Sequence, residues 1–416
     1  MVCAAFLSAM ALCSASHADS PFATRVVSFD PAPGQFVRNP AYNDPLKALG
    51  APIGGGLFAP ANDKVVSLGG FGGSITLGFD SPIVNLPPTT PDGFNPIGLD
   101  FIVFGNAFYA GSADGQWRFA ELVVVEVSRD VNANGLADDP WYLIPGSRLQ
   151  NASFPLQRVV KAWDDNTADT SRPPANPAWI PVGRSGVWTS STFAIPGTGL
   201  VPPVFVGGGD GLTPASIWGY ADCSPTLLLG DLDADGVSDD PSITPEMFYT
   251  RPGNPLVPGV DGFTPGTGGG DAFDISWAID PTTGLSANLP SIDFVRLSTG
   301  VDATGGLLGE VSGEIGGVAR VVLPVINTTP CDIADDAGTP LRQPNAGTNN
   351  GVNEGDYNAF FASEGFFFLA SIGPAAVGSY CDIADDAGDP LPSTSGAANN
   401  GVNEGDYNAF FNCLFR

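Results

Sequence analysis

Apolar residues in the first three quarters of the chain fall in short, β-branched runs separated by glycine and proline. No segment there keeps helical apolar spacing for more than two turns. Many short strands without intervening helices predict a mainly-β fold, a β-sandwich or jelly-roll-like domain over residues 19–326. The middle, roughly 145–215, is rich in proline and tryptophan and is predicted to form long loops over the sheets. The clearest predicted strands lie within Lys64–Phe79, Leu99–Phe108, Arg118–Ser128, Ser291–Val301 and Val318–Ile326.

The pattern changes after a short predicted linker at 327–330. Residues 331–361 and 381–411 are identical at 23 of 31 positions, and the differences fall at 339 and within 342–348 or at their partners. Identity at both ends around a variable middle predicts that the ends meet while the middle loops out. Tyr357, Phe360 and Phe361 then have the i, i+3, i+4 spacing of a short helix. One copy is too small to form a core, so the two copies are expected to pack their phenylalanine faces together.

The chain is strongly acidic, with 16 basic and 44 acidic residues and a formal charge of −28. Nucleic acids and anionic membrane surfaces would repel such a chain, so neither is an expected partner. Aspartate supplies most of the acidity, which suits loops and the ligation of hard cations. After the N-terminal segment no stretch is long and apolar enough to span a bilayer, so membrane insertion is not expected.

Residues 1–18 form a short apolar run that ends in Ser16-His17-Ala18, which predicts a signal peptide cleaved before Asp19 and a secreted, extracellular or cell-surface protein. A buried first strand is the alternative interpretation of this run. His17 is the only histidine, so the mature chain would have none. Ser-His-Asp catalysis and histidine-bound zinc are therefore excluded.

Four cysteines remain after the predicted cleavage, at positions 223, 331, 381 and 413. An even number of cysteines in an exported chain predicts oxidation, and four cysteines permit three pairings. Cys413 follows the helix of the second repeat, where the first repeat has Ser363. A disulfide between Cys381 and Cys413 is therefore the expected pairing.

Two decapeptides of the predicted β domain place oxygen-bearing side chains at positions 1, 3, 5 and 9 and glycine at position 6. Calcium needs six to eight oxygen ligands, and alternate residues of a tight loop can point inward. A full EF-hand loop has an acid at position 12, but Trp141 and Ser242 stand there. A polar Asx-turn between strands is the alternative interpretation. The predicted ligands are Asp130, Asn132, Asn134, Leu136 (carbonyl), Asp138 and Asp139 in the first loop, and Asp231, Asp233, Asp235, Val237 (carbonyl), Asp239 and Asp240 in the second.

The repeated frame "CDIADDAG…NNGVNEGDYNAFF" resembles the GC-type dockerin repeats of secreted bacterial proteins. The resemblance implies a small α-helical, EF-hand-like module over 331–416 that binds Ca2+ and docks onto a cohesin-like partner. It departs from an ordinary dockerin loop in its insertion at Ala337–Thr348, in Ala334 at loop position 3, and in the spacing from Gly351 to Asp356, which is one residue short. The implied loop acids are Asp332, Asp335, Asp336 and Asp356, and their equivalents Asp382, Asp385, Asp386 and Asp406.

A series of motifs in the β domain resembles those of a second group, bacterial cell-surface proteins that are mostly surface or binding proteins. The motifs that carry this resemblance follow one another along nearly the whole domain. They are "PAPGQFVRNP" (Pro31–Pro40), "VVSLGGFGGSITLGFD" (Val65–Asp80), "DFIVFGNAF" (Asp100–Phe108), "NGLADDPWYLIPGS" (Asn134–Ser147), "WGYAD" (Trp218–Asp222), "FDISWAID" (Phe273–Asp280) and "LGEVSGEI" (Leu308–Ile315).

Without histidine, the realistic enzyme would be a glycosidase that uses two carboxylates. Glu121 and Glu126 are predicted on opposite faces of one strand, and no local motif marks a catalytic pair. The expected function is therefore that of a secreted, calcium-binding, non-catalytic surface or binding protein, anchored to a cohesin-like or cell-surface protein, with polysaccharide as a further candidate ligand. The alternatives are a carbohydrate-active enzyme or a structural surface-layer component delivered by the same anchor.

Overall fold

In the computed structural model the strands outnumber the helices. The predicted signal peptide, most of the linker and the variable middle of each repeat lie outside the described residues. The residues that the structure describes are 19–87, 95, 98–109, 117–150, 154–195, 204–205, 219–241, 243–253, 266–304, 309–322, 330–341, 349, 351–377, 379–391 and 398–414.

The described strands are short and pair in antiparallel ladders. They are β1 (Arg25–Asp30), β2 (Val66–Ser67), β3 (Ser74–Val84), β4 (Phe101–Phe104), β5 (Phe108–Tyr109), β6 (Trp117–Phe119), β7 (Val123–Ser128), β8 (Trp141–Ile144), β9 (Val159–Asp164), β10 (Val187–Thr192), β11 (Val204–Phe205), β12 (Asp271–Phe273), β13 (Ser291–Thr299), β14 (Glu314–Ile315) and β15 (Gly317–Arg320). The helices are α1 (Pro245–Phe248), α2 (Glu354–Phe360), α3 (Phe366–Ser371) and α4 (Glu404–Leu414). The mainly-β class predicted from the sequence is confirmed.

The largest sheet has the strand order β1-β3-β13-β7-β8. Because successive side chains of a strand point to opposite faces, each strand contributes residues to the packing on both faces of the sheet. In β7, Val123, Val125 and Val127 enter the main core, while Val124 enters a second core on the other face. Glu126 lies on that second face, directly opposite Arg296 of β13.

A three-stranded sheet, β12-β4-β15, faces the five-stranded sheet across the main core. Phe101 and Val103 of β4 enter this shared core, whereas Ile102 and Phe104 enter a third core on the outer side. All four side chains are therefore buried, which explains why β4 is a continuous apolar run rather than an alternating one. The Asp231–Asp240 loop leads into α1, which packs on this third core through Phe248.

Strands β9 and β10 form a hairpin in the segment that was predicted to consist of long loops, and for these residues that prediction is wrong. Trp163 is buried, and its indole N–H donates to Ser190 Oγ at 2.8 Å across the hairpin. The strands contain lysine, serine and threonine and expose valines such as Val160, so their apolar pattern is weak. Packing on the rest of the protein, rather than local pattern, determines this hairpin.

The C-terminal repeats pack as expected, with equivalent residues of the two copies in contact. The rings of Phe360 and Phe410 are both fully buried and stack with centroids 3.9 Å apart at 9°. Phe361 and Phe411 lie 5.9 Å apart. Helix α3, between the copies, was not predicted, and its Phe366 stacks on Phe360 at 5.0 Å. Within the described part of the chain, every helix is too short or too polar to cross a membrane.

Candidate calcium loops and a buried carboxyl cluster

The first aspartate loop is organised around Asp130, the last residue before the turn that follows β7. Its carboxylate accepts the backbone N–H of Asn134 at 3.0 Å and that of Gly135 at 2.6 Å. The side-chain oxygen of Asn132 also accepts from the Asn134 N–H, at 3.0 Å. The loop is fixed to the neighbouring strand, because the backbone N–H of Asp130 donates to Asp293 at 2.8 Å.

The second loop repeats this arrangement. Asp231 accepts from the backbone N–H groups of Asp235 at 3.1 Å and Gly236 at 3.0 Å, and Asp233 also accepts from Asp235 at 3.1 Å. The side chains of Leu136 and Val237, which follow the glycine in each loop, are 58% and 62% exposed. Two segments about a hundred residues apart therefore fold into one loop conformation.

The shared conformation includes an unusual backbone. Ala133 and Ala234, at position 4 of their loops, have φ of 55° and 63°, a left-handed conformation that side chains other than glycine, asparagine and aspartate seldom adopt. The glycines two residues later have φ of 76° and 91°. Such strain persists where surrounding contacts determine the backbone, and it is often found at ligand-binding sites.

The second loop contains a carboxylate group that could hold a metal ion. Carboxylate oxygens of Asp231, Asp233 and Asp239 lie within 4.8 Å of one another, close enough for ligands of one ion whose metal–oxygen distances are about 2.4 Å. Burial raises the pKa of Asp231, and the charge of Asp235 raises it further. A bound cation would offset both effects.

The two loops differ at their closing acids. In the first, the position-10 acid Asp139 accepts the Val131 N–H at 3.0 Å, and Asp138 lies 3.5 Å from the side-chain amide of Asn134. In the second, the position-9 acid Asp239 accepts the Leu232 N–H at 2.8 Å. Asp240 instead donates its backbone N–H to the Gly230 carbonyl. Of the predicted ligands in the two loops, only Asp231, Asp233 and Asp239 bring three carboxylates within 4.8 Å of one another among the described residues.

The repeats use their last loop acid as a hydrogen-bond acceptor. Asp356 is fully buried, and one of its oxygens accepts the N–H groups of Ile333 at 2.6 Å and Ala334 at 2.9 Å. The other oxygen accepts the N–H of Asn353, which caps α2, at 2.8 Å. Asp406 makes the same three contacts in the second copy. These bonds join the two identical ends of each repeat, as the sequence pattern predicted.

The other repeat acids also have amide partners. Asp332 accepts from the side chain of Asn349 at 2.8 Å, and Asp336 accepts from that of Asn353 at 2.6 Å. Asp335 closes an Asx-turn by accepting the backbone N–H of Ala337 at 2.9 Å. In the described residues, the repeats do not bring three carboxylates within 4.8 Å. Calcium ligation there stays a prediction. The equivalent contacts of the second copy involve Asp382, Asp385 and Asp386.

The disulfide joins Cys331 to Cys413, with Cα atoms 5.6 Å apart, so the expected Cys381–Cys413 pairing is wrong. The two copies pack against each other, and this brings the end of α4 beside the opening turn of the first repeat rather than that of its own repeat. Cys381 is a buried thiol. The bond therefore spans the whole repeat module.

A buried carboxyl cluster lies at another place in the β domain. Oxygens of Glu121, Asp222 and Glu314 come within 4.8 Å of one another, so these three groups could hold a metal ion. Asp222 is fully buried, with a left-handed φ of 55°. It accepts the backbone N–H groups of Asn106 at 3.0 Å, Ala107 at 3.1 Å and Glu314 at 2.9 Å.

Burial dominates the electrostatics of this cluster. It raises the pKa of Glu121 to about 7. It raises the pKa values of Asp222 and Glu314 well above their usual range, with repulsion from Glu121 as the next cause. A hydrogen bond between the Glu314 and Glu121 carboxyls favours the protonated form of Glu314. The cluster can hold protons at neutral pH, or it can exchange them for a cation.

Sequence spacing did not reveal this cluster, because its members are about a hundred residues apart. Two of the three lie, however, in motifs that carry the surface-protein resemblance, Asp222 in "WGYAD" and Glu314 in "LGEVSGEI". Gly105 of "DFIVFGNAF" lies against them, and a Cβ at this position would be 2.3 Å from Asp222 Oδ1. Glu126 is on β7 and lines a different site, whereas Glu121 lies two residues before β7 begins, so the prediction that both glutamates share one strand is wrong.

Comparison with known proteins identifies no family for this chain. No protein-family model matches the chain, and no curated protein matches it. The two resemblances therefore depend on the motifs quoted above.

Proposed function

We propose that this chain is a secreted, calcium-binding and non-catalytic surface or binding protein, anchored through its C-terminal repeat pair to a cohesin-like or cell-surface protein. The observation that supports docking most directly is an exposed aromatic surface on the repeats. Phe367, Tyr357 and Tyr407 are 66%, 46% and 37% exposed. Large apolar side chains grouped on a surface are typical of protein–protein interfaces.

These exposed rings belong to one connected group, the aromatic surface. Tyr357 contacts Phe361 at 5.0 Å, and Tyr407 contacts Phe411 at 4.7 Å, so each repeat supplies an equivalent pair. Phe361 also contacts Phe367 of α3 at 5.9 Å. Because both copies and α3 contribute, the surface exists only when the repeats are packed together.

Calcium has a different role in the β domain and in the repeats. In the Asp231–Asp240 loop, the closeness of three carboxylates supports direct ligation of the ion. In the repeats, acids such as Asp332 and Asp336 are held at the start of each helix by asparagine amides, and a cation there would replace the amide donors. Calcium would then fix the loops that position α2 and α4.

Docking can be tested with variants that change exposed side chains and leave the core intact. The triple variant Tyr357→Ala, Phe367→Ala and Tyr407→Ala is expected to lose association with the host's cell-surface fraction in calcium. Phe58→Ala, which removes an aromatic ring that is 52% exposed in the β domain, is the control and should associate like the unchanged chain. Full retention of the triple variant would refute docking through this surface.

The carboxyl cluster is the observation that favours the enzyme alternative, because it places a carboxyl whose pKa is raised by burial beside a second carboxyl group. Asp222 and Glu314 are 0% and 3% exposed, however, so a glycosidic oxygen has no direct access to them. A non-catalytic role in folding or metal binding suits them better. Release of reducing sugar by the intact chain, lost in Glu121→Gln, would favour the enzyme instead.

A further inference from the structure

A cavity of about 520 Å³ lies on the second face of the five-stranded sheet, bordered by β10. None of the calcium loops or the carboxyl cluster contributes to its lining. Its floor is formed by Ser74 of β3, Glu126 of β7, Trp141 of β8 and Arg296 of β13, and Arg158 lies beside β9. We call it the arginine cavity.

Two guanidinium groups share one buried carboxylate in this cavity. Arg296 donates from Nε to Glu126 Oε2 at 3.0 Å and from Nη2 to Oε1 at 2.9 Å. Arg158 donates from its Nη2 to the same Oε1. Glu126 is fully buried, whereas the Arg158 and Arg296 side chains are 34% and 23% exposed. Two cations therefore meet one anion at the cavity wall.

Aromatic rings hold both guanidinium groups in place. The Arg296 guanidinium lies 4.0 Å from the centroid of Trp141, and that of Arg158 lies 4.8 Å from Phe193. A second Arg158 nitrogen, Nη1, contacts the Ser191 carbonyl at 3.5 Å. Each guanidinium has five N–H donors, and these bonds use only two of them on each arginine. The rigid placement reduces the entropy that a ligand must offset.

The charge of the arginine cavity is opposite to that of the whole chain. Asp30, the other acid of the lining, is paired with Arg184, so one positive charge from Arg158 and Arg296 is left over. The chain as a whole has a formal charge of −28. Guanidinium groups bind carboxylate, sulfate and phosphate in a forked geometry, and a partly buried surplus charge is stabilised when such an anion pairs with it.

We propose that the arginine cavity binds an acidic sugar residue of a polysaccharide, through its carboxylate or sulfate group. The two arginines would bind the anionic group, and hydroxyls of Ser74, Thr189, Ser191 and Ser298 line the cavity where sugar hydroxyls would lie. The volume falls within the usual range for small-ligand sites, about 300–1,000 Å³. This inference rests on the proposed binding function and is independent of docking, because it concerns the β domain alone.

The test is calorimetric titration of the intact purified chain in the absence of any surface fraction, so its outcome is separate from docking. The probes are an oligogalacturonide, a sulfated galactan oligosaccharide and a neutral galactan oligosaccharide. We expect at least one acidic probe to bind, the neutral probe not to bind, and affinity to fall with added salt. Arg158→Gln should weaken binding at least tenfold. Arg38→Gln removes an exposed arginine outside the cavity lining and should leave affinity unchanged.

Thermal unfolding of Arg158→Gln, followed by tryptophan fluorescence, checks that the β domain is folded. If that variant is unstable, Trp141→Phe tests the same cavity, because it removes the indole beneath Arg296 and should also weaken binding. Binding of only one acidic probe identifies the anionic group and supports the proposal. Equal binding of acidic and neutral probes, failure of both acidic probes to bind at millimolar concentration, or full competition by an equal concentration of sodium sulfate would overturn it.

Discussion

Removal of the Cys331–Cys413 disulfide should destabilise the repeat module strongly. The bond closes a loop with a sequence separation of 82 residues, which corresponds to about 4.5 kcal/mol of chain entropy in the unfolded state at 25 °C. A module of this size has a total stability on the order of 5–10 kcal/mol. The variant Cys331→Ser with Cys413→Ser should therefore lose a large part of its stability.

Amide hydrogen exchange followed by mass spectrometry can measure this loss region by region. Peptides from α2 and α4 of the double variant should exchange about a thousandfold faster, since each 1.4 kcal/mol corresponds to a factor of ten. Tryptophan fluorescence serves as an internal control, because all seven tryptophans precede Cys331 and report on the β domain. That signal should not change.

Cys381→Ser is the matched variant, since it removes a buried thiol and keeps the disulfide. Its exchange should change far less. Unchanged protection of α2 and α4 in the double variant would refute the estimate, and peptide mapping that finds a Cys381–Cys413 bond would refute the connectivity.

Three further predictions concern the β domain. Calcium at a hundredfold excess over its Kd should stabilise the domain by about 2.7 kcal/mol and so raise its melting temperature. The substitution Asp233→Asn should reduce this stabilisation. Calorimetry that shows identical unfolding with and without chelator would contradict the prediction. Burial raises the pKa values of Glu121 and Asp100 to about 7, so the folded state retains protons that the unfolded state releases, and stability should be lost as the pH rises from about 4 through 7. Melting in chelator at pH 5 and pH 8 tests this, and a higher melting temperature at pH 8 would speak against it. Gly105→Ala should lower the free energy of unfolding by about 1–3 kcal/mol, because the new Cβ would lie 2.3 Å from Asp222 Oδ1. Gly316→Ala is the control, since its Cβ would meet no atom closer than 3.4 Å. Equal denaturation midpoints for the two variants would exclude the clash.

Local pattern predicted much of this molecule. The apolar run that became β4 and the Tyr357, Phe360 and Phe361 spacing that became α2 each depend on neighbours within a few residues. The stacking of Phe360 on Phe410 followed because near-identical copies present the same apolar face to each other.

Features that depend on distant packing were not predictable in the same way. Glu121 meets Asp222 and Glu314 only because the sheets and loops bring them together, and nothing in their local sequence encodes that meeting. The disulfide follows the packing of the two repeats rather than the order of their cysteines. Asp356 was predicted as a calcium ligand from its position in the repeat. Its hydrogen bonds from the backbone N–H groups of Ile333 and Ala334 depend on the folded chain and could not be predicted from the sequence.

The central proposal is that the repeat pair is a calcium-dependent anchor. Substitution of Asp356 and Asp406 by alanine tests it poorly, because each carboxylate accepts three backbone N–H groups and its loss would unfold the module with or without calcium. The direct measurement is association of the intact chain with the host's surface fraction in calcium, after addition of chelator, and after calcium is restored. The proposal predicts association, release and renewed association, in that order. Association that chelator does not reverse, or none in calcium, would contradict it.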